Sequence, residues 1–139
     1  MPSPILSLTD HELEEKLKRI LAAHVGADKA IPRWELVVEC FGPGSDHPRN
    51  DNNLHDRAVR DAVERLRVDH GLFILDMNDG RGRFLAQNDA DYWNFRTRYL
   101  RALQSRARVI RAMDGHAKQK WPNLMQPSLF DIPDHLEMA

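Results

Sequence analysis

The sequence predicts a mainly α-helical protein with a small β-hairpin, a long helix after the hairpin and a C-terminal tail. Apolar residues recur at helical spacing in three segments before residue 71, and loop signals separate these segments. A short apolar run at 72–75 and the segment Arg83-Phe84-Leu85-Ala86 flank a turn rich in Gly, Asn and Asp, which is typical of a hairpin. A fourth helical pattern begins near residue 88 and is followed by prolines after residue 121.

The first helix begins at a capping box, in which Thr9 and Glu12 satisfy free amides at the helix start. Its apolar side is expected to end at the stop signal Gly26 and to comprise Leu13, Leu17, Ile20, Leu21 and His24. A second, shorter helix is expected after Pro32, because proline suits the start of a helix. Its core-facing residues would be Trp34, Val37, Val38 and Phe41.

Residues 42–53 contain no large apolar side chain, so they are predicted to form a loop. Asn52 or Asn53 can cap the third helix, which is expected to reach about His70 and to stop at Gly71. One half of this helix is apolar, with Leu54, Ala58, Val59, Ala62, Val63 and Leu66. The other half is polar and is expected to be exposed, with Asn53, Arg57, Arg60, Glu64 and Arg67.

The fourth helix would extend from about residue 88 to about residue 118, roughly 45 Å at 1.5 Å per residue. Its apolar half is wider than one packing surface needs, which predicts a dimer or docking face with Tyr99, Leu103, Ile110 and Met113. Prolines at 122, 127 and 133 break any long element after it. Residues 121–139 are therefore predicted to form a flexible tail. Residues 1–8, which precede the first helix, are predicted to form a second tail.

A chain of 139 residues with 42% hydrophobic and 29% charged content is expected to form one globular domain. It has no run of about 18 apolar residues, which excludes a membrane span, and no signal peptide is visible. The single cysteine, Cys40, excludes an intramolecular disulfide and a cysteine-rich zinc site. These features predict a cytoplasmic protein.

Charge is unevenly distributed along the chain. Residues 49–120 contain fifteen Lys or Arg against ten Asp or Glu, a net charge of +5. Residues 1–48 and 121–139 each have a net charge of −3. The basic, arginine-dominated middle segment suggests an anionic partner.

Three helices followed by a hairpin that closes on Phe84-Leu85-Ala86, and then by an Arg-rich helix, resemble small winged-helix proteins of phage and prophage genomes. The resemblance implies a winged helix-turn-helix domain over 9–87, a long helix over 88–120 and binding to double-stranded DNA. The third helix would enter the major groove and the hairpin, or wing, would touch the backbone. The residues implied in DNA contact are Asn53, Arg57 and Arg60 on the helix and Arg81 and Arg83 on the wing, and Lys29 and Arg33 are further candidates for phosphate contact. The twelve-residue loop at 42–53 departs from the tight turn of that family.

The polar side of the third helix has a second interpretation. Arg57 with Asp61, Arg60 with Glu64 and Asp56 with Arg60 are all spaced i,i+4. Such pairs can simply hold a solvated helix face.

In the tail, Gln126-Pro127-Ser128-Leu129-Phe130 resembles the bacterial sliding-clamp-binding pentapeptide, whose usual form is Gln-Leu-Ser/Asp-Leu-Phe. The resemblance implies that Leu129 and Phe130 enter an apolar pocket of the clamp and that Gln126 fixes the register. The alternative is that the two apolar side chains fold back on the fourth helix.

No nucleophile–base pair, phosphate-binding loop or paired-carboxylate motif is visible, so the protein is predicted not to be an enzyme and to need no cofactor. Asp46, His47, Asp51 and His55 match no established metal-ligand spacing, and no metal is expected. The preferred hypothesis is a phage-type replication accessory that binds DNA and the host sliding clamp, either recruiting the clamp or inhibiting host replication. The alternatives are a prophage transcriptional regulator and a protein-interaction module that does not bind DNA.

Overall fold

A computed structural model describes residues 7–77 and 82–123. In these residues the chain forms four α-helices and three short strands, in the order α1 (Asp10–Leu21), β1 (Ile31–Pro32), α2 (Arg33–Phe41), α3 (Leu54–Val68), β2 (Ile74–Asp76), β3 (Gly82–Leu85) and α4 (Asp89–Lys120). A short 3-10 helix, Ala27–Lys29, precedes β1. The predicted fold class is confirmed in its coarse form: a mainly helical chain with a small antiparallel sheet and a long C-terminal helix.

The helix starts agree with their sequence signals. The Thr9 hydroxyl accepts a hydrogen bond from the Glu12 amide, and the Glu12 carboxylate accepts one from the Thr9 amide, each at 3.1 Å. The Asn53 side chain caps α3 by accepting from the Asp56 amide at 3.0 Å. The two helix ends come earlier than expected: α1 ends at Leu21, and α3 ends at Val68. Glycine therefore marks the connections after these helices, not their last turns.

The sheet contains a strand that the sequence does not signal. Its order is β1-β3-β2, with β3 in the centre and both pairings antiparallel. Arg83 on β3 lies opposite Ile31 on β1 and opposite Asp76 on β2. The close approach of β1 requires Gly82, because a Cβ atom there would lie 2.8 Å from the Ile31 carbonyl oxygen.

The core lies where α1, α2 and α3 pack together and against one face of the sheet. The three helices and the sheet all contribute buried residues to it. These residues are Leu13, Leu17, Leu21, Ile31, Leu36, Val37, Cys40, Val59, Ala62, Val63, Leu66 and Ile74. The apolar half predicted for the third helix thus faces the core, apart from the exposed Leu54. Burial of this apolar surface holds α3 in place and leaves its opposite side to polar residues.

The contacts divide the chain into two compact units, Met1–Trp93 and Asn94–Ala139. Helix α4 begins in the first unit, where Tyr92 packs edge-on against Phe73 with ring centroids 5.4 Å apart. In the second unit the aromatic rings of Phe95 and Tyr99 lie 5.6 Å apart. The tip of the predicted wing (78–81) and the tail from residue 124 lie outside the described residues.

Candidate nucleic-acid interface

A fully buried carboxylate, Asp56, lies near the start of α3. Arg33, the first residue of α2, donates to it from Nε at 3.0 Å and from Nη2 at 2.7 Å. Arg60, one helical turn further along α3, donates from Nε at 3.0 Å. Burial opposes ionisation of Asp56, but the hydrogen bonds and charge of Arg33, together with Arg60 and Arg83, hold its pKa below the ordinary value.

The loop before α3 is fastened to the same two arginines. Arg33 Nη2 also donates to the Asp51 carboxylate at 2.9 Å, and Arg60 Nη2 donates to the Asp51 carbonyl oxygen at 3.1 Å. The Asp51 side chain is 87% exposed, so this carboxylate remains in water while Asp56 does not. The outer edge of Arg33 therefore faces an anionic group that is free to be replaced by another.

A second carboxylate, Asp76 on β2, lies 3.3 Å from Arg67 Nη2 and 3.3 Å from Arg83 Nε. Arg67 also donates from Nε to the Ile74 carbonyl at 2.7 Å, which ties α3 to the sheet. Burial lowers the pKa of Arg83, and the positive charges of Arg67 and Arg33 act in the same direction against the attraction of Asp76 and Asp56. Arg83 therefore interacts electrostatically with both carboxylates, Asp76 and Asp56.

We call Arg33, Arg60, Arg67 and Arg83 the arginine cluster. Its four guanidinium groups contact three carboxylates, Asp56, Asp76 and the exposed Asp51, which leaves an excess of one positive charge. Three elements supply these arginines: the start of α2, the polar side of α3 and the central strand β3. The arrangement can hold an anion with several oxygen atoms, such as a phosphate, because guanidinium groups donate in a planar fork.

The residues predicted to contact DNA differ in their exposure to solvent. Arg57 is exposed on α3, and Arg60 is partly exposed within the arginine cluster. The expectation that Asn53 lies on the exposed side is wrong, because its side chain is 3% exposed and caps α3. Its amide also donates to the carbonyls of Ser45 and Pro48.

The two wing arginines differ in what the structure describes. The Arg83 side chain is only 15% exposed, and its Nε lies 3.3 Å from the Asp76 carboxylate of the neighbouring strand. Arg81 lies outside the described residues. Lys29 is exposed on the 3-10 helix, whereas Arg33 belongs to the arginine cluster. Of the i,i+4 pairs expected on α3, Asp56–Arg60 forms, with Asp56 as a buried partner.

Two members of the site, Arg67 and Asp76, were not predicted. Arg67 was assigned only to the polar side of the third helix, and Asp76 only to the turn. A hairpin register would have revealed the pairing of Asp76 with Arg83, because directly opposed residues on one face interact. The packing of α3 against that strand is a tertiary feature, and no local signal reports it.

An open groove of about 660 Å³ lies beside the arginine cluster, between the start of α2 and the loop. It is lined by Pro32, Arg33, Trp34, Glu35, Val38, Asp46 and Arg49. The Arg33 guanidinium lies 4.5 Å from the centre of the Trp34 ring, and Arg49 donates to Asp46 at 2.6 Å. The groove lining holds two arginines and two acidic residues, Glu35 and Asp46, so it has no excess of positive charge, unlike the arginine cluster.

The part of the chain that the structure describes forms neither a metal site nor a reactive thiol. Among residues 7–77 and 82–123, no three His, Cys, Asp or Glu side chains are grouped to hold a metal ion. His55 instead packs on Phe41, with ring centroids 4.7 Å apart. Burial raises the pKa of the Cys40 thiol to about 11, so the reactive thiolate is disfavoured there.

The predicted docking face on α4 is largely exposed. Tyr99, Ile110 and Met113 are about half exposed, and Leu103 is partly exposed. Arg106 lies within this face, about 20° around the helix from both Tyr99 and Met113. The face is therefore apolar with a charge at its centre. No helix of the described residues is long and apolar enough to cross a membrane.

Comparison with protein-family models, with curated proteins and with solved structures finds no match to this chain.

We expect the substitution Asp56→Asn to lower the free energy of unfolding by about 3 kcal/mol at pH 7, because the surrounding guanidinium groups lose their buried counter-charge. Asp61→Asn, an exposed change on the same helix, should alter it by less than about 0.5 kcal/mol. Urea denaturation followed by circular dichroism measures both.

The same pair of variants has a defined pH dependence. Because the folded-state pKa of Asp56 is below its ordinary value of 3.8, its stabilising effect is complete above that pH and is lost as the pH falls through the folded-state pKa. The stability difference between wild type and Asp56→Asn should therefore narrow below pH 3.8. Equal stability of the Asp56→Asn and Asp61→Asn variants at pH 7 would contradict the buried ion-pair account.

Proposed function

We propose that the protein is a non-enzymatic DNA-binding protein of the winged-helix type, which contacts duplex DNA through α3 and the neighbouring sheet. The observation that carries this proposal is the arginine cluster, in which four guanidinium groups contact three carboxylates where α2, α3 and β3 meet, and one of these carboxylates, Asp51, is exposed. The element order supports the proposal, because three helices precede the hairpin of β2 and β3. Strand β1 pairs with β3 and extends this hairpin to a three-stranded sheet.

The division of labour follows from exposure. Arg57, exposed on the first half of α3, is the residue best suited to reach base edges, where a guanidinium can bridge O6 and N7 of guanine. Arg60 and Arg33 are suited to phosphates, because Asp56 fixes their orientation before DNA arrives. Such preorganisation reduces the entropy lost on binding. Asn53 has no part in this proposal, since its side chain is used as a cap.

Asp51 has a specific place in this scheme. Its exposed carboxylate occupies Arg33 Nη2, and a DNA phosphate offers the same kind of anionic oxygen. A phosphate can therefore replace Asp51 at Arg33 without leaving the guanidinium unpaired. Arg33 keeps its two bonds to Asp56 throughout this exchange.

We expect the unmodified protein to bind a 20-base-pair duplex with an affinity that falls steeply between 50 and 200 mM salt. The double substitution Arg57→Ala and Arg60→Ala should weaken binding and reduce the slope of log K against log salt by about 2. Fluorescence anisotropy measures both quantities. Arg19→Ala, an exposed change on α1, is the control and should leave the slope unchanged.

Undetectable binding of the unmodified protein at 50 mM salt would overturn the DNA proposal, since non-specific phosphate attraction is strongest there. Thermal melts of the double variant are needed beside the titration, because Arg60 also bonds to the buried Asp56. The single variant Arg57→Ala avoids that bond and should reduce the slope by about 1.

We propose in addition that the tail binds the bacterial DNA polymerase sliding clamp, through Gln126, Pro127, Ser128, Leu129 and Phe130. These residues lie outside the described part of the chain, so the proposal rests on the motif. Leu129 and Phe130 are an adjacent large apolar pair in a polar, proline-containing segment, and such anchors suit a partner's pocket. Pro127 would lower the ordering cost on binding.

Together these contacts describe a phage-type replication accessory that brings the clamp to DNA or blocks the clamp groove against the host polymerase. A prophage transcriptional regulator would use the DNA contacts alone. A protein-interaction module is favoured by a different observation, the half-exposed Tyr99, Ile110 and Met113 on α4. In that case a second copy of the chain, or another protein, would cover the apolar side of α4.

We expect a synthetic peptide of residues 123–133 to bind a purified bacterial sliding clamp with micromolar affinity. Burial of Leu129 and Phe130 offers about 3–5 kcal/mol of transfer free energy before ordering costs are subtracted. In the full chain, Leu129→Ala with Phe130→Ala should abolish clamp binding in a pull-down and leave the melting temperature and DNA affinity unchanged. Leu124→Ala with Met125→Ala is the matched control, since it shortens two adjacent apolar side chains outside the pentapeptide, and it should leave clamp binding intact. Unfolding of the double variant, or normal clamp binding by it, would each contradict the proposal.

A further inference from the structure

The second unit of the chain contains a helix with unbalanced positive charge. Residues 94–113 of α4 include six arginines and no Asp or Glu, and a single carboxylate, Asp114, follows. In α3, by contrast, Asp56, Asp61 and Glu64 lie among the arginines. The ion-pair interpretation that suits α3 does not extend to Arg101 and Arg108, which have no Asp or Glu three or four residues away along the helix.

Resting on the proposed DNA-binding function, we infer that α4 makes a second, sequence-independent contact with the phosphate backbone of duplex DNA. Its centre is Arg101 and Arg108, which are both exposed. They are seven residues apart, so they lie about 10 Å apart along the helix and about 20° apart around it. Arg98 and Arg111 flank them within about 60° to 80° and extend the basic stripe to about 20 Å.

Two residues on the side of these arginines have small side chains, so they do not block the approach of a large, regular partner to the basic stripe. Ser105 and Ala112 are small, exposed and on the same side of the helix as Arg101 and Arg108. A duplex presents about one phosphate per 1.7 Å of its axis, so a straight stripe of this length meets several phosphates at once. Guanidinium groups also suit phosphate better than ammonium groups do, because they donate two parallel hydrogen bonds.

An anionic membrane surface fits this helix less well than DNA does. A helix that lies on a membrane buries an apolar side and keeps its cations on the polar side. In α4, Arg106 is exposed in the middle of the apolar side, between Leu103 and Ile110. Insertion of that side would bury a guanidinium without a counter-charge, which is costly.

The positive charge of this stretch also has a cost to the free protein. Arg98 with Arg101, and Arg108 with Arg111, are like charges at i,i+3 and destabilise a helix. Neutralisation by phosphates relieves this repulsion, so DNA binding and helix stability are coupled in α4. Replacement of Arg101 or Arg108 by Gln should consequently leave the melting temperature unchanged or raise it, which separates lost binding from lost folding.

The test compares three single variants of the full chain, Arg101→Gln, Arg108→Gln and Arg106→Gln. All three remove one positive charge from α4, and the third does so about 140° to 160° away around the helix. Anisotropy titrations with a 20-base-pair duplex over 50–200 mM salt give affinity and salt slope for each. We expect Arg101→Gln and Arg108→Gln to bind about eightfold more weakly at 0.1 M salt, with the slope reduced by about 0.9, and Arg106→Gln to match wild type.

The outcomes distinguish this inference from the proposed function. Normal affinity and slope for Arg101→Gln and Arg108→Gln, in a protein that binds DNA, overturn the α4 contact and leave the α3 proposal standing. Equal losses in all three variants overturn it as well, since they report net charge and not a face. No DNA binding by wild type overturns both. Binding to phosphatidylserine vesicles that depends on Arg101 and Arg108, without such dependence for DNA, assigns the stripe to a membrane and also overturns it.

Discussion

The bonds between Asp56 and the guanidinium groups of Arg33 and Arg60 determine how α2, α3 and the loop between them fit together. Asp56 is buried because the apolar side of α3 packs into the core and brings the start of the helix with it. A carboxylate in that position needs several charged donors, since burial alone would favour its neutral form. Arg33 supplies them from the start of α2, and Arg60 from one turn along α3. The same two arginines then hold Asp51 and fix the twelve-residue loop.

A buried ion pair of this kind often adds little net stability compared with an apolar core, because desolvation offsets the attraction. Its physical consequence here is orientation. The guanidinium groups of Arg33 and Arg60 are held in place by Asp56, and those of Arg67 and Arg83 lie in the same way around Asp76. Side chains fixed in advance can meet an anion without a large loss of conformational entropy.

Local signals in the sequence predicted much of the fold. The Thr9 capping box, the Asn53 cap and the apolar spacing of α3 depend on neighbours within four residues, and all are present. Strand β1 was missed because two residues cannot display an alternating pattern, and its position depends on the close approach to Gly82. Asn53 was expected to be exposed and Arg83 to contact phosphate from the wing, yet tertiary packing buries Asn53 and leaves the Arg83 side chain only 15% exposed. A helical wheel reports which side of a helix is polar but not what another element places against it.

The two arginine-rich helices of the chain differ in how their charge is balanced. In α3 the arginines lie among carboxylates, and one of these is buried and shared. Residues 94–113 of α4 include six arginines and no Asp or Glu, while half-exposed apolar residues occupy another side of the helix. The first arrangement favours fixed geometry, and the second favours a diffuse attraction that depends on salt.

The most direct test of the central claim observes the arginine side chains themselves. In a ¹⁵N-labelled protein, the Nε–H signals of Arg33 and Arg60 should be protected from exchange by their bonds to Asp56 and visible at neutral pH. Addition of an unlabelled duplex should shift these two signals and that of Arg57, and leave Arg19 on α1 unchanged. Binding of the duplex with no change at Arg33, Arg57 or Arg60 would contradict the account, because DNA would then be held by another surface.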